Sequence, residues 1–241
     1  MRSLFFLFIM SYSIGLFAQQ QDGKIWLQTG IKGPLNKQWE WGADLTNRFG
    51  EDGLETFFSQ VSIKYKLTKW LRPSVDYRTI LDKDKYLNHT LSNRLNINAD
   101  LKKTVNRWGF GLRLRYQYSF SSVGRSSYDA EFDQAIRLKP QVSYNIKKSI
   151  WRPIYTFELF YNPAYGADGH QLTKYRMFAG SQLDLKGPHD LAFGYILDQE
   201  LNTAQPDTKH IFSVSYSIDL GTPKKSDKKE KGSGNSDLFN E

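Results

Sequence analysis

The chain has 241 residues, a formal net charge of +8 and no cysteine. This length suits one β-barrel of about 200 residues. The lack of cysteine excludes a disulfide framework and a lipoprotein anchor, and it argues against a structural zinc site. The mean hydropathy of −0.57 is typical of a soluble protein, but membrane barrels share such values because only every second strand residue is apolar.

Residues 1–18 have the features of a secretory signal peptide. Arg2 supplies the positive charge, Leu4 to Phe17 form the apolar stretch, and Ala18 precedes three glutamines. We expect cleavage after Ala18. The alternative, a single membrane anchor, requires a longer apolar run.

From residue 25 onward, apolar and polar residues alternate with a period of two, which is the period of a β-strand. The clearest example runs from Trp108 to Phe120, and the other segments show the same pattern. The predicted strands are Ile25–Lys32, Gln38–Phe49, Phe57–Leu67, Trp70–Ile80, Thr90–Leu101, Trp108–Phe120, Glu131–Ile146, Trp151–Tyr161, Thr173–Leu185, Leu191–Asp198 and His210–Leu220.

The segment from Trp108 to Phe120 indicates whether the outer wall of the barrel faces water or lipid. One row is entirely bulky and apolar, with leucines in the middle (Leu112 and Leu114) and aromatic residues at both ends. The other row is small or polar and includes Arg113 and Arg115. A bilayer favours aliphatic residues at its centre and aromatic rings at its interfaces. We therefore predict that the apolar row faces lipid.

The predicted connections alternate between short and long. The short ones are Thr68–Lys69, Lys102–Thr104, Lys147–Ser149 and Lys186–Pro188; the long ones are Asp82–Asn88, Ser121–Ala130, Asn162–His170 and Asn202–Asp207. Outer-membrane barrels have short periplasmic turns and longer extracellular loops. Lysine closely followed by tryptophan recurs where strands open after a short turn, which indicates a girdle at one membrane interface.

These features predict an all-β fold: an antiparallel up-and-down transmembrane β-barrel of about ten to twelve strands, formed by residues 19–221. The strands from Gln38 onward would close it antiparallel, and Ile25–Lys32 would add a further strand. Bacterial single-chain barrels usually have even strand numbers. Either Ile25–Lys32 does not span the barrel, or another predicted segment contains two strands.

The polar rows predict a lumen filled by its own side chains, because barrels of about eight strands are filled and open pores need about sixteen. We expect the inward arginines to reach across the lumen and pair with carboxylates. The candidate lumen charge network comprises Arg48, Asp76, Arg78, Arg94, Arg113, Arg115, Arg137, Glu158 and Arg176.

Residues 222–241 are charged and glycine-containing, which is typical of a flexible tail. Asp227 and Glu230 interrupt its lysines, and no aromatic residues are interleaved among them. The tail is therefore a poor candidate for binding nucleic acid.

A series of short motifs resembles one known family. They are Trp26, Asn47-Arg48-Phe49, Asp76-Tyr77-Arg78, Arg113-Leu114-Arg115-Tyr116, Arg152-Pro153 followed by Glu158-Leu159-Phe160-Tyr161, and Tyr175-Arg176. In this order they resemble the domain-of-unknown-function 2490 family of barrel-like proteins common in Bacteroidota. The resemblance covers roughly residues 24–220. It implies an outer-membrane location and no established activity, so it carries over no catalytic residues.

Three functions remain open from the sequence. The first is a non-enzymatic outer-membrane barrel: structural, accessory or a narrow channel, whose expected partner is outer-membrane lipid and whose protein partners are unknown. The second is a lipid-modifying enzyme, whose base would be His89, His170, His189 or His210. The third is a secreted soluble barrel that binds a small ligand. We predict the first, with no catalytic residues, no metal and no cofactor, since no metal-ligand spacing supports a histidine site.

Overall fold

The computed structural model describes residues 21–83, 89–121, 134–164, 169–185 and 187–221. The predicted signal peptide and the predicted tail lie outside these residues. Within the described part, all regular elements are β-strands. No helix there is long and apolar enough to cross a membrane.

The described residues form eleven strands, and each overlaps one predicted segment. They are β1 (Gln21–Pro34), β2 (Trp39–Gly50), β3 (Gly53–Tyr65), β4 (Leu71–Lys83), β5 (His89–Val105), β6 (Trp108–Ser121), β7 (Gln134–Tyr144), β8 (Trp151–Asn162), β9 (Gln171–Asp184), β10 (His189–Glu200) and β11 (Thr208–Asp219).

The strands form one closed barrel in which neighbours along the chain pair antiparallel. The exception is the closing pair, since β1 lies parallel to β11 from Gln21–Thr208 to Lys32–Asp219. The antiparallel closure expected from the strands after Gln38 is therefore wrong. The doubt about Ile25–Lys32 is also resolved, because this segment belongs to a complete strand. An odd number of strands forces one parallel pair.

The barrel has two different ends. The short-turn end carries the connections 35–38, 66–70, 106–107, 145–150 and 185–188, and β11 finishes there. The long-loop end carries the connections 51–52, 84–88, 122–133, 163–170 and 201–207, and β1 begins there. The alternation is incomplete, because the connection 51–52 at the long-loop end has only two residues.

One predicted turn is wrong. Lys102, Lys103 and Thr104 lie within β5, where they pair with Gly111, Phe110 and Gly109 of β6. The hairpin instead turns at Asn106 and Arg107. Asn106 has a φ of 55°, a left-handed conformation that asparagine tolerates better than most residues.

The two rows of β6 face as predicted. Leu114 is 47% exposed on the outer wall, whereas the side chain of Arg115, its neighbour, is 1% exposed inside the barrel. The whole row Trp108, Phe110, Leu112, Leu114, Tyr116, Tyr118 and Phe120 is exposed. Strand β6 therefore carries its bulky apolar residues on the outer wall and its polar residues inside the barrel.

Candidate functional site: the lumen network

All nine residues of the predicted charge network lie on the inner row of their strands. Six of them, Asp76, Arg78, Arg115, Arg137, Glu158 and Arg176, are buried, and the other three are partly buried. Their common facing follows from the period of two in each strand. The barrel thus brings residues from seven strands, β2 and β4 to β9, into one interior.

The first cluster is built around Asp76 on β4. Its Oδ2 accepts hydrogen bonds from Arg115 Nη2 at 3.0 Å and from Asn98 Nδ2 at 2.8 Å. Asn98 Oδ1 accepts a bond from Arg115 Nε at 2.5 Å, and Asn98 Nδ2 also donates to Ser74 Oγ at 2.9 Å. Arg115 therefore bridges two strands, β5 and β4, from β6.

The second cluster pairs Arg137 with Glu158 on the neighbouring strand. Arg137 Nε donates to Glu158 Oε1 at 2.8 Å, and Arg137 Nη1 donates to Gln117 Oε1 at 3.3 Å. Both charged side chains are at most 3% exposed. A buried pair of this kind must stay intact, because removing one partner leaves an uncompensated charge.

Two further arginines meet carboxylates outside the nine residues: Asp100, which the alternation of its strand already places inward, and Asp198. Arg113 forms a two-pronged pair with Asp100, at 2.6 Å and 3.0 Å. Arg176 Nε donates to Asp198 Oδ2 at 3.0 Å, with Lys174 Nζ 3.7 Å from the same oxygen. Asp198 lies on the inner row of β10, so the alternation of that strand was a signal that could have identified it.

The expectation that the arginines reach across the lumen needs correction, because most of these pairs join neighbouring strands along the wall. Neutral groups also take part. Arg78 donates from Nε and Nη2 to Gln60 Oε1, at 3.0 Å and 2.8 Å. Gln60 in turn donates to Asp44 Oδ2 at 3.1 Å. Arg94 Nε donates to Ser119 Oγ at 3.2 Å.

Aromatic rings connect the arginines into a chain. The guanidinium carbon of Arg78 lies 4.0 Å from the ring centre of Phe58. The guanidinium carbon of Arg48 lies 5.0 Å from the same ring centre. Arg48 lies 4.0 Å from the ring of Trp26, and Arg176 lies 4.9 Å from it. These contacts have the geometry of cation–π interactions.

The chain continues on the far side of Trp26. Arg176 lies 5.3 Å from the ring of Phe160, and Arg137 lies 4.4 Å from the same ring. We call the series Arg78, Phe58, Arg48, Trp26, Arg176, Phe160 and Arg137 the stacked chain. Each member comes from a different strand, and together they fill a continuous part of the interior.

The inner wall also contains an apolar cluster, which the expectation of a polar lumen omitted. Its members are Trp26, Ile154, Phe178, Ile196 and Ile211. They occupy the inner rows of β1 and β8 to β11.

The ring of Phe178 lies over two glycines, Gly180 on the same strand and its partner Gly194 on β10. A Cβ at Gly194 would come within 2.5 Å of this ring, and one at Gly180 within 2.4 Å. The two glycines therefore make the space that the ring fills.

Sequence alternation could have identified these interior apolar residues. Trp26 shares a row with Gln28, Phe58 with Gln60, and Phe160 with Glu158. The prediction placed bulky residues on outer rows and polar residues on inner rows. That rule misses rings that stack on charged groups.

The histidines do not gather at one site. His170, His89 and His210 lie at or near the long-loop end, and His189 lies at the short-turn end. His189 Nδ1 is 2.7 Å from the hydroxyl of Tyr216, and His210 and His170 contact the hydroxyls of Tyr195 and Tyr161. Among the described residues, no group of three or more histidine, cysteine, aspartate or glutamate residues is placed to hold a metal ion.

His89 and Ser92 lie on opposite faces of β5, as the alternation predicts. His89 is exposed, and Ser92 is buried inside the barrel. This geometry does not give a base within reach of that hydroxyl.

The fold and the interior together define a class: a closed β-barrel with an apolar outer wall and a lumen occupied by its own charged and aromatic side chains. The chain belongs to the family described as "Protein of unknown function (DUF2490)", whose family model matches residues 23–209. The resemblance drawn from the short motifs is thereby confirmed. A comparison with curated proteins found no match.

Proposed function

We propose that this protein is an integral outer-membrane β-barrel with a non-enzymatic role: structural, accessory or a narrow channel. The observation that carries the proposal is the outer wall. Every strand exposes at least one large apolar side chain there, for example Ile25 on β1, Val61 on β3, Ile97 on β5, Tyr155 on β8 and Phe212 on β11. The apolar surface therefore encircles the whole barrel.

Such a surface is compatible with lipid and costly in water. Soluble monomers rarely expose a contiguous apolar patch of more than a few hundred Å². The strands are 11 to 17 residues long, and a tilted membrane-spanning strand needs about 9–11 residues. Each strand is thus long enough to cross a bilayer.

The same wall weighs against a secreted soluble barrel that binds a small ligand. Such a barrel encloses an apolar cavity and exposes polar residues. Here the outer wall is apolar, as at Leu114, and the inner wall carries buried charges such as Arg115 and Glu158 beside its apolar cluster.

The filled interior weighs against a general porin, through which small solutes diffuse. The stacked chain, the ion pairs of Arg115 and Arg137, and the apolar cluster occupy the space that a porin leaves to water. An eleven-strand barrel also lies nearer the filled limit of about eight strands than the open limit of about sixteen.

A lipid-modifying enzyme is the second candidate from the sequence, and the described residues give it less support. Such an enzyme needs a nucleophile within hydrogen-bond reach of a base. Three of the four histidines instead contact tyrosine hydroxyls, and His89 and Ser92 face opposite sides of the wall.

Membrane fractionation tests the location. We expect the native protein to sediment with the outer membrane and to resist carbonate extraction. It should also migrate faster on a gel before boiling than after, because a folded barrel keeps its compact shape in detergent. Recovery of the protein in the soluble periplasmic fraction would contradict the proposal.

A further inference from the structure

The two ends of the barrel carry opposite charges in their connections. Each of the five short-turn segments contains lysine or arginine, and none contains aspartate or glutamate. Each of the five segments at the long-loop end contains aspartate or glutamate. The short-turn segments contain cations without any carboxylate, whereas the long-loop segments contain eight acidic residues and two basic ones, Lys85 and Arg125. This bias is not expected of turns that merely need polar residues.

Six cations at the short-turn end are exposed. Five lie in the turns, and Lys103 points outward near the end of β5, opposite Phe110 of β6. We call this set the basic ring: Lys37, Lys69, Lys103, Arg107, Lys147 and Lys148.

Three of these turns are held in place by their own side chains. Asn36 Oδ1 accepts hydrogen bonds from the backbone N–H groups of Gln38 and Trp39, at 2.8 Å and 2.9 Å. Thr68 Oγ1 accepts them from Trp70 and Leu71, at 3.2 Å and 2.9 Å.

The third turn repeats this arrangement, with Ser149 Oγ accepting from the N–H of Trp151 at 3.1 Å. In each turn the capping residue is the direct neighbour of a lysine: Lys37, Lys69 and Lys148. The cations therefore project from ordered turns.

Aromatic side chains form a belt on the outer wall at the same end. Trp39 lies 4.7 Å from Tyr65, and Trp108 lies 4.8 Å from Tyr144, measured between ring centres. The remaining pairs are Trp151 with Phe193 at 5.7 Å and His189 with Tyr216 at 6.0 Å, while Trp70 is exposed beside β4.

Indole and phenol rings prefer the boundary between acyl chains and headgroups. A lysine next to such a ring is thus at headgroup depth, where its ammonium can meet lipid phosphates.

We propose that the basic ring and the aromatic belt bind the headgroups of anionic phospholipids in the membrane leaflet at the short-turn end. This inference rests on the proposed membrane location. The cations meet the phosphates, the rings fix the depth of the wall, and the acidic connections of the opposite end are kept away from this leaflet.

The distribution around the barrel favours lipid over a protein partner. The aromatic belt draws on β2, β3, β6, β7, β8, β10 and β11, so it follows the circumference. A protein would contact one side, whereas a leaflet surrounds all sides.

The test uses the mature full-length protein folded into vesicles of phosphatidylcholine alone or of phosphatidylcholine with phosphatidylglycerol. The readout is the temperature at which the fast-migrating folded band converts to the unfolded band. We expect phosphatidylglycerol to raise this temperature by several degrees at low salt. The shift should disappear in 1 M NaCl, where the Debye length is about 3 Å.

The decisive variant replaces all six members of the basic ring by Gln. We expect it to fold in phosphatidylcholine like the parent, because exposed substitutions have small effects on stability, and to lose the phosphatidylglycerol shift. A charge-preserving variant, with Lys37, Lys69, Lys103, Lys147 and Lys148 changed to Arg, should keep the shift. Neutralising the other end by Glu51→Gln with Asp52→Asn should also leave it unchanged.

The outcomes separate this inference from the membrane proposal. If the parent folds in both vesicles without a salt-sensitive shift, or if the Gln variant keeps the shift, the headgroup inference is wrong and the membrane barrel stands. If the parent folds in neither vesicle, the membrane proposal itself fails. A shift that added inorganic phosphate reproduces in phosphatidylcholine vesicles would assign the site to free phosphate rather than to lipid.

Discussion

The inner wall has two regions that are held together by different interactions, hydrogen bonds between polar side chains in one and apolar packing in the other. The polar region, on β4 to β7, is built from side chains such as Asp76, Asn98, Arg115 and Arg137, joined by hydrogen bonds. The apolar region is the cluster Trp26, Ile154, Phe178, Ile196 and Ile211. Its strands are β1 and β8 to β11, whose inner rows also carry Glu158 and the Arg176–Asp198 pair. The stacked chain connects the two regions through Trp26 and Phe160.

The two regions contribute differently to a barrel that is stable and has a closed lumen. Apolar burial stabilises without directional demands, so the apolar region acts as an ordinary core. Buried charges stabilise little beyond their desolvation cost and must be matched with partners. The polar region therefore demands accurate placement, and it is the region in which a small change should have large effects.

The largest effect is expected from removing three cations of the polar region at once, Arg113, Arg115 and Arg137 to Ala. Loss of these side chains should open a water-filled path and weaken the fold, because their carboxylate partners lose their counterions. In a planar bilayer the parent should show little or no steady conductance, and the triple variant should show more.

The apolar region supplies the control for that measurement. Phe178→Ala should leave a dry cavity, since apolar cavities stay empty of water, and should not add conductance. A large stable conductance in the parent would refute the filled lumen and favour a transport role.

The second largest effect is expected from breaking one buried ion pair, Arg137–Glu158. Glu158→Ala should lower the free energy of unfolding by about 3–5 kcal/mol, because it leaves the Arg137 charge buried without its carboxylate. Urea unfolding in detergent micelles, followed by tryptophan fluorescence, measures this change. The double variant Glu158→Leu with Arg137→Leu should recover part of the loss. If the double variant is as unstable as the sum of two single losses, the pair does not act as a unit.

The third effect tests whether the polar region is inside. Leu114→Arg should destabilise the lipid-inserted barrel by about 2–4 kcal/mol, because it places a charge at the middle of the outer wall. Arg115→Leu, at the next position, should cost stability through its broken contacts with Asp76 and Asn98 instead. Folding yields and urea midpoints in vesicles distinguish the two. Parent-like folding of Leu112→Arg, Leu114→Arg and Leu138→Arg alike would mean that the outer wall does not meet lipid.

The smallest effect belongs to the glycines under Phe178. Gly194→Ala should cost about 1–3 kcal/mol, because the added methyl group overpacks a filled site. Combining it with Phe178→Leu, which shortens the side chain, should reduce that cost. The same urea titration measures both variants. The added carbon would also lie 2.6 Å from the backbone carbonyl of Ala179. An unchanged midpoint for Gly194→Ala alone would show that the Phe178 ring and this carbonyl both move aside freely.

The candidate site was predictable in composition but not in its contacts. The inner row of each strand follows from local alternation, so all nine network residues were placed on the correct face. Their partners depend on how strands far apart in sequence are aligned. Arg115 meets Asp76 across β5, and Ser215 meets Gln28 across the closing seam. No local pattern contains these alignments.

The sequence by itself located the segments that form strands and showed which residues share a face, because a period of two is a property of each segment alone. It left the strand number at about ten to twelve and left open whether Ile25–Lys32 spans the barrel. Only the tertiary structure decided that β1 closes the barrel parallel to β11. It also decided that Arg176 meets Asp198 and that Trp26 lies between Arg48 and Arg176. These features follow from closure, since the register of one strand pair is fixed only when all the others are in place.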